Sequence, residues 1–397
     1  MKAIDKLLML SATVWLLASC GNKSATMRTI VNTDGSCERE ITTAPDRSEG
    51  TTASNSSEEG DKEVEKALLI DSTWTVGWAY RGDTVVHHEP LTAARYDSIQ
   101  RDLQRQHIDK QVSDTIVVHA RRHFASVEEL AQSSPFRLNG KPLCPTITLE
   151  KRFRWFYTYY YYKETYPSQA SLFSLPVTDY MSEREAQFWF CGQPDLSAGE
   201  SGAEAKARLD ELEDRMVKWQ NANLMYETCE AIARHYDAIP SNSVSKAQFL
   251  AVRDSLVRQT SEAGFPMDEE KMAALLRDAF HTDVFTPLLS DTSVVGSEMA
   301  QKTNAYLQLI MLKANCEVMM PGRIVDGNAL SFEDNCAQFR LTGERLIPGD
   351  YTLEVVSRDS HLWAFLLTGL IIVLAIASYF WRGRRRGSDH RPVASAS

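Results

Sequence analysis

The sequence has little of what usually reveals an enzyme or a metalloprotein. Its 397 residues include 7 cysteines, no two of them in C-x-x-C spacing, which excludes a disulfide-dense mini-domain. It has no Gly-x-Ser-x-Gly elbow, no phosphate-binding Gly-Lys-Ser/Thr loop and no dinucleotide-binding fingerprint. We therefore predict a protein that is not an enzyme and that carries no cofactor.

Two short patterns come closest to a chemical site, and neither is convincing. Ser243 and Lys246 match Ser-x-x-Lys, but the companion elements of the serine enzymes with that motif are absent, and a helix cap explains the serine. His119 and His123 on one strand would lie about 13 Å apart, too far to share a zinc ion. We predict no metal site.

The first 20 residues have the pattern of a secretory signal. Lys2 and Lys6 precede an apolar run, and Leu17-Ala18-Ser19-Cys20 ends it. This ending resembles the bacterial lipobox, which implies cleavage before Cys20 and lipidation of that cysteine. We predict a lipoprotein signal peptide at 1–19 and a lipid anchor on Cys20.

A second apolar run lies near the other end of the chain. Residues 362–381 carry no charge, and 20 residues at ~1.5 Å each span a hydrocarbon core. Aromatic residues stand at both edges and arginines follow at once, which predicts a transmembrane helix with a basic cytoplasmic tail at 382–397. The predicted location is the inner membrane, with the bulk of the chain periplasmic.

The charge between these two anchors is strongly negative. The whole chain has a formal charge of −10; without the signal peptide (+1) and the tail (+4), residues 20–381 carry −15. Nucleic-acid binding needs clustered lysine and arginine, so a nucleic-acid partner is excluded. The predicted partners are the membrane and a lipid or another envelope protein.

The region between the anchors divides into a tether and one domain. Residues 20–62 are rich in Ser, Thr, Gly and Asn, which predicts a flexible tether, and 63–358 form the exported domain. Strand patterns lie on both sides of a helical block at 203–280, and they return at 306–312 and after it. The predicted fold is α+β: one curved, antiparallel-rich sheet built from two groups of strands, with a helical insertion and one C-terminal transmembrane helix.

The most unusual internal feature is a run of aromatic residues within a predicted single strand, 146–162. One face of that strand carries Phe153, Trp155, Tyr157, Tyr159 and Tyr161. This face is either core against which the helices pack or the wall of an apolar ligand cavity near the bilayer, with a membrane-facing or partner-facing patch as a further reading. The five residues are the candidate ligand face.

Six cysteines remain besides Cys20. Cys316 and Cys336 flank a predicted hairpin, and an oxidising envelope permits disulfides. They are the preferred pair, with separate buried thiols as the alternative.

The segment Glu317 to Asn328 contains Met320-Pro321-Gly322 and is followed by strand patterns, an apolar helix and an arginine tail. In this order it resembles uncharacterised Bacteroidetes-type envelope lipoproteins with a C-terminal transmembrane helix and, more weakly, mycobacterial LppM-type lipoproteins. The second resemblance implies an exported α+β domain with a curved sheet and a lipid ligand. The function predicted first is a membrane-tethered envelope protein that binds lipid or another apolar ligand at the membrane surface. A scaffold subunit acting through the helical block is the alternative, and an envelope hydrolase is third.

Overall fold

Two β-sheets packed face to face, with helices beside them, form the described part of the chain. The computed structural model describes residues 25–43, 72–83, 85–89, 91–106, 108, 112–134, 136–239, 243–263, 268–290 and 292–386. The predicted signal peptide, Cys20 and the tail beyond residue 386 lie outside these ranges. Within them the chain is mixed α/β, as predicted.

The described residues form thirteen strands in three sheets. Their bounds are β1 Ala25–Val31, β2 Cys37–Thr43, β3 Thr75–Tyr80, β4 Ile116–Phe124, β5 Arg137–Leu138, β6 Lys141–Pro142, β7 Thr146–Phe153, β8 Tyr157–Tyr166, β9 Lys313–Met319, β10 Arg323–Gly327, β11 Ser331–Glu333, β12 Cys336–Thr342 and β13 Tyr351–Ser360. The seven-stranded sheet has the order β11-β12-β9-β1-β2-β4-β3, the four-stranded sheet β10-β13-β8-β7, and β5 pairs with β6. Every pairing is antiparallel except that of β1 with β9.

Each larger sheet combines strands that precede the helical block with strands that follow it. The sequence predicted one such sheet, and the structure has two. Apolar side chains from both sheets fill a single core between them. The seven-stranded and four-stranded sheets therefore form a sandwich.

The described helices lie mainly between the two groups of strands. Their bounds are α1 Ala93–Arg105, α2 Val112–Thr115, α3 Val127–Gln132, α4 Glu183–Cys191, α5 Gly202–Arg234, α6 Lys246–Ser261, α7 Glu269–Phe280, α8 Val294–Met311 and α9 Leu362–Arg386. Single 3₁₀ turns occur at Ala170–Leu172, Val177–Asp179, Tyr236–Ala238, Thr286–Leu289 and Gly343–Leu346.

The predicted helical block is confirmed by α5, α6 and α7, which share a second apolar core with α8. Reciprocal side-chain caps begin both α5, at Ser201 and Glu204, and α6, at Ser245 and Gln248. The strand predicted at 306–312 is wrong, because α8 continues through Met311. A short apolar run does not distinguish a strand from a buried helix end.

The predicted tether is wrong for residues 25–43, where β1 and β2 form a hairpin inside the seven-stranded sheet. Met27, Val31, Cys37 and Ile41 point into the core and are almost fully buried. Polar residues alternate with these apolar ones, so the overall composition looks like that of a linker. The alternation of apolar and polar residues predicts strands here, although the overall composition does not.

A buried ion pair joins the two larger sheets. The Arg39 guanidinium on β2 donates to both carboxylate oxygens of Glu164 on β8, at 2.8 and 2.9 Å, and neither side chain is exposed to solvent. Arg39 also donates to Thr29 Oγ1, and the hydroxyls of Tyr162 and Tyr166 each donate to Glu164 at 2.8 Å.

These contacts set the charge states inside the core. Burial alone would lower the pKa of Arg39, but the adjacent Glu164 carboxylate holds that pKa above its ordinary value. Burial, and then the charge of Glu164, raises the pKa of Tyr162 and of Tyr166 well above 10. The hydroxyls of Tyr162 and Tyr166 therefore stay neutral beside the Arg39 guanidinium.

Candidate functional site

The aromatic run is a hairpin and not one long strand. After β7 the chain reverses at Trp155 and Phe156, where Arg154 N donates to Tyr157 O at 2.7 Å and Tyr157 N donates to Arg154 O at 3.2 Å. The prediction of a single strand through residue 162 is therefore wrong. The turn holds no Gly, Pro, Asn or Asp, so the usual signal of a tight hairpin is missing.

This reversal divides the five residues predicted to form one ligand face. Tyr157, Tyr159 and Tyr161 lie half-buried on the outer face of the four-stranded sheet. Phe153 and Trp155 lie at the hairpin tip, 63% and 46% exposed. The buried aromatic side chains of β8 are those of the alternate positions, Tyr160, Tyr162 and Tyr166.

The hairpin tip packs on the first turns of α9. Trp155 Nε1 donates to Thr368 Oγ1 at 2.9 Å, and its ring meets Trp363 edge-on with centroids 5.3 Å apart. The Phe156 ring lies 4.7 Å from that of Phe365. These contacts bring residues about 210 positions apart in the sequence into one aromatic cluster at the base of the sandwich.

His361 links β13, the hairpin and α9. Its main-chain N donates to Phe156 O at 2.9 Å, and its Nε2 lies 2.9 Å from Thr158 Oγ1. The imidazole stacks on Phe153 at 5.1 Å and on Trp363 at 5.9 Å, with interplanar angles of 18° and 11°. The helix therefore follows the strand through a joint fixed by hydrogen bonds and stacked rings.

Arginines line the outer face of the sheet just above this joint. The register places Arg152 opposite Tyr159, Tyr159 opposite Arg358, and Arg358 opposite Arg323, so that one row crosses all four strands. We call these four residues the arginine row. Side chains of directly paired residues share a face, so its three guanidinium groups lie on one surface.

The rows above and below hold two of these arginines in place. Arg152 donates to Glu150 at 2.6 and 2.9 Å, which raises the pKa of Arg152 and lowers that of Glu150. The Arg358 guanidinium lies 4.7 Å from the ring centre of Tyr157, on the side of the hairpin tip. Arg358 therefore leans toward α9.

The Met-Pro-Gly turn places β10 beside β13. Gly322 has φ +70°, and a Cβ there would overlap the Arg358 carbonyl oxygen, so this turn requires glycine. Asn335 donates to the carbonyls of Met320 and Gly322 and accepts from the N–H of Ile324. The motif that carried the resemblance thus has a structural role here: it positions Arg323.

The predicted disulfide between Cys316 and Cys336 is wrong. Both thiols are free, Cys316 lies opposite Phe339 on the β9–β12 ladder, and Cys336 lies three positions further along β12. An odd separation puts the two side chains on opposite faces of the sheet, about 10 Å apart along the strands. Burial raises the pKa of the Cys316 thiol, which faces the core.

The other predicted candidates lie apart from the hairpin. His119 on β4 lies 3.3 Å from Thr42 Oγ1 and 3.4 Å from Glu40. Ser243 precedes α6, whose cap is Ser245. In the described ranges no three His, Cys, Asp or Glu side chains are placed to hold a metal ion.

Comparison with family models, curated proteins and solved structures gave no match. The resemblance to envelope lipoproteins stays a prediction.

Proposed function

We propose that this chain is a non-enzymatic, membrane-anchored protein of the cell envelope whose α+β domain stands on the bilayer surface. The hairpin tip and the start of α9 form its contact with lipid. The observation that carries this proposal is the hydrogen bond from Trp155 to Thr368, together with the ring contact between Trp155 and Trp363. Aromatic rings at the edge of an apolar helix favour the headgroup zone.

The proposed anchor is the apolar part of α9. Leu362–Trp381 is the one helix in the described ranges that is long and apolar enough to cross a bilayer, and almost none of it is buried against the rest of the chain. Arginines follow it at 382 and 384–386. By the positive-inside rule this end lies in the cytoplasm, so the α+β domain with its curved sheet and helical insertion lies outside it.

The exposure of the tip supports lipid contact. Phe153 and Trp155 leave much of their ring area uncovered beside a helix whose own apolar side chains are exposed along its length. Such large rings are normally covered in a soluble domain, and a headgroup layer covers them here. The core side of β8 is filled by its own tyrosines, so the proposed apolar ligand is the bilayer itself.

Replacing Trp155 with phenylalanine should reduce the quenching of tryptophan emission by brominated lipid. The full chain is reconstituted in nanodiscs whose lipids carry bromine near the headgroup end of the acyl chain. Trp155 is one of 8 tryptophans, and those at the helix ends, including Trp363 and Trp381, are quenched in both proteins. The difference between the two proteins therefore reports the depth of the hairpin tip.

Trp189→Phe is the matched control. Trp189 lies on α4 and packs partly buried against the main core. Its removal should lower the total emission but leave unchanged the amount of emission lost to brominated lipid. If the emission lost to brominated lipid were the same in the Trp155→Phe protein as in the native chain, Trp155 would lie in water. That result would overturn the proposal.

A further inference from the structure

The arginine row brings like charges together without enough carboxylates to balance them. Arg323 and Arg358 are directly opposed on β10 and β13, and such like-charge pairs destabilise a sheet. In the described part of the chain neither of these side chains forms an ion pair. Arg154, exposed in the hairpin turn, forms none there either.

The neighbouring carboxylates are already engaged or turned elsewhere. Glu150 binds Arg152, and Glu354 binds Lys163 at 2.7 Å, further from α9. Asp326, the acidic residue on β10, lies past an irregularity in the strand and accepts from the N–H of Gly327. Asp359 follows Arg358 on β13, but alternation puts it on the opposite face of the sheet, where it accepts from the N–H of Ser360. An anion from outside the chain is the group that would balance Arg323 and Arg358.

The location of this pair indicates where that anion comes from. Arg358 is two residues before Ser360, which pairs with Tyr157 at the base of the sheet, so its Cα is about 7 Å above that level. Its guanidinium leans down over Tyr157. The headgroup layer is about 5–8 Å thick on each side of the hydrocarbon core, so the guanidinium falls within phosphate depth.

We propose that Arg323 and Arg358, with Arg154 below them, bind the phosphate group of an anionic membrane lipid. This inference rests on the proposed function, because it takes the hairpin tip to lie at the bilayer surface. Planar guanidinium groups suit phosphate oxygens, which they bind by paired N–H donors. Tyr157 holds Arg358 in the orientation that faces the lipid.

The test measures lipid preference in the full chain. The protein is reconstituted in phosphatidylcholine vesicles that contain spin-labelled phosphatidylglycerol, and the motionally restricted fraction gives the preference over spin-labelled phosphatidylcholine. A basic residue near an anionic surface contributes about fivefold in association. We therefore expect the preference to fall about fivefold in Arg358→Gln, and further in the double variant Arg323→Gln/Arg358→Gln.

Arg152→Gln is the matched control. Arg152 belongs to the same row, but its charge is balanced by Glu150 and it lies over Tyr161, away from the helix. Its replacement should leave the lipid preference unchanged. The arginines after α9 contribute equally in all variants and cancel from the comparison. An unchanged preference in the double variant would overturn the proposal, as would an equal loss in Arg152→Gln.

A second measurement separates lipid from soluble phosphate. Titration of inorganic phosphate into the detergent-solubilised full chain should show no saturable binding, whereas saturable binding abolished by Arg358→Gln would overturn the lipid assignment. The Trp155 quenching experiment reports tip depth independently of these arginines. Quenching of Trp155 without an arginine-dependent preference for phosphatidylglycerol would refute this inference alone. Absence of Trp155 quenching would refute the proposed function.

Discussion

Replacement of Glu164 by alanine is expected to destabilise the sandwich by about 3–5 kcal/mol, since it leaves a fully buried guanidinium without its counter-ion. Arg39 and Glu164 have no exposed side-chain surface. The substitution would also deprive the hydroxyls of Tyr162 and Tyr166 of their acceptor. Urea unfolding of the full chain in detergent, followed by tryptophan emission, measures the loss.

The matched control is Glu354→Ala, one strand away on β13. Glu354 pairs with Lys163 on the outer face, where both side chains are about half exposed. Exposed pairs of this kind contribute at most about 1 kcal/mol. If both variants lost a similar free energy of unfolding, burial of the Arg39–Glu164 pair would not explain the loss in Glu164→Ala.

A second variant separates the net contribution of the buried ion pair to stability from the cost of leaving one of its charges unpaired. Arg39→Met, Glu164→Leu, Tyr162→Phe and Tyr166→Phe together replace the charged and phenolic groups of the network by apolar groups and leave only the Thr29 hydroxyl. Arg39 Nη1 is buried without a hydrogen-bond partner, so the native network is incompletely satisfied. We expect the quadruple variant to recover most of the stability lost by Glu164→Ala, because apolar replacements of buried ion pairs are often neutral or stabilising. Failure to recover it would show that the charges stabilise the core directly.

Local patterns predicted the elements of this fold better than they predicted its pairing. The helical block and the strands after residue 312 follow from the spacing of apolar residues, and the structure has them. The Arg39–Glu164 pair joins residues 125 positions apart. No local pattern marks which charged residues of a strand face the core.

The hairpin at Trp155 and Phe156 was unpredictable for a related reason. Strand alternation continues through the turn, so the sequence assigns Phe153 and Tyr157 to one face of one strand. The contacts with His361 and Trp363 stabilise the reversal instead of turn residues. The candidate site therefore depends on tertiary contacts, although its aromatic content was visible in the sequence.

The β1–β2 hairpin changes what the two predicted anchors imply. Arg39 lies beside Glu164, seven residues up β8 from the hairpin tip, and the strand ends at Thr43 and Ala25 lie further still, roughly 30 Å from that tip. At most about 18 Å of chain separates Cys20 from Ala25. If Cys20 carries the lipid predicted from the sequence and the sandwich stands on the bilayer as proposed, that lipid does not reach the leaflet that the hairpin tip contacts.

The other large effect is expected at Gly343, where alanine should cost about 3 kcal/mol. A Cβ at this position would overlap the Leu309 carbonyl oxygen, because the last turn of α8 packs directly on the backbone after β12. Gly343 N also donates to Leu312 O at 2.9 Å. Backbone atoms lie on both sides of this contact, and no flexible side chain can move aside. An added methyl group would therefore push α8 away from the sheet.

Gly349→Ala supplies the control, since it adds the same methyl group six residues away. Its Cβ would meet only the end of the Gln187 side chain, at 3.8 Å, and its backbone is not in the left-handed region. Its free energy of unfolding in urea should therefore stay within about 0.5 kcal/mol of that of the native chain. If Gly343→Ala were equally mild, α8 could move without loss and would not be tied to the sheet there. A large loss at Gly343 alone would identify this contact as the point where the helical layer is fixed to the sandwich that carries the hairpin and α9.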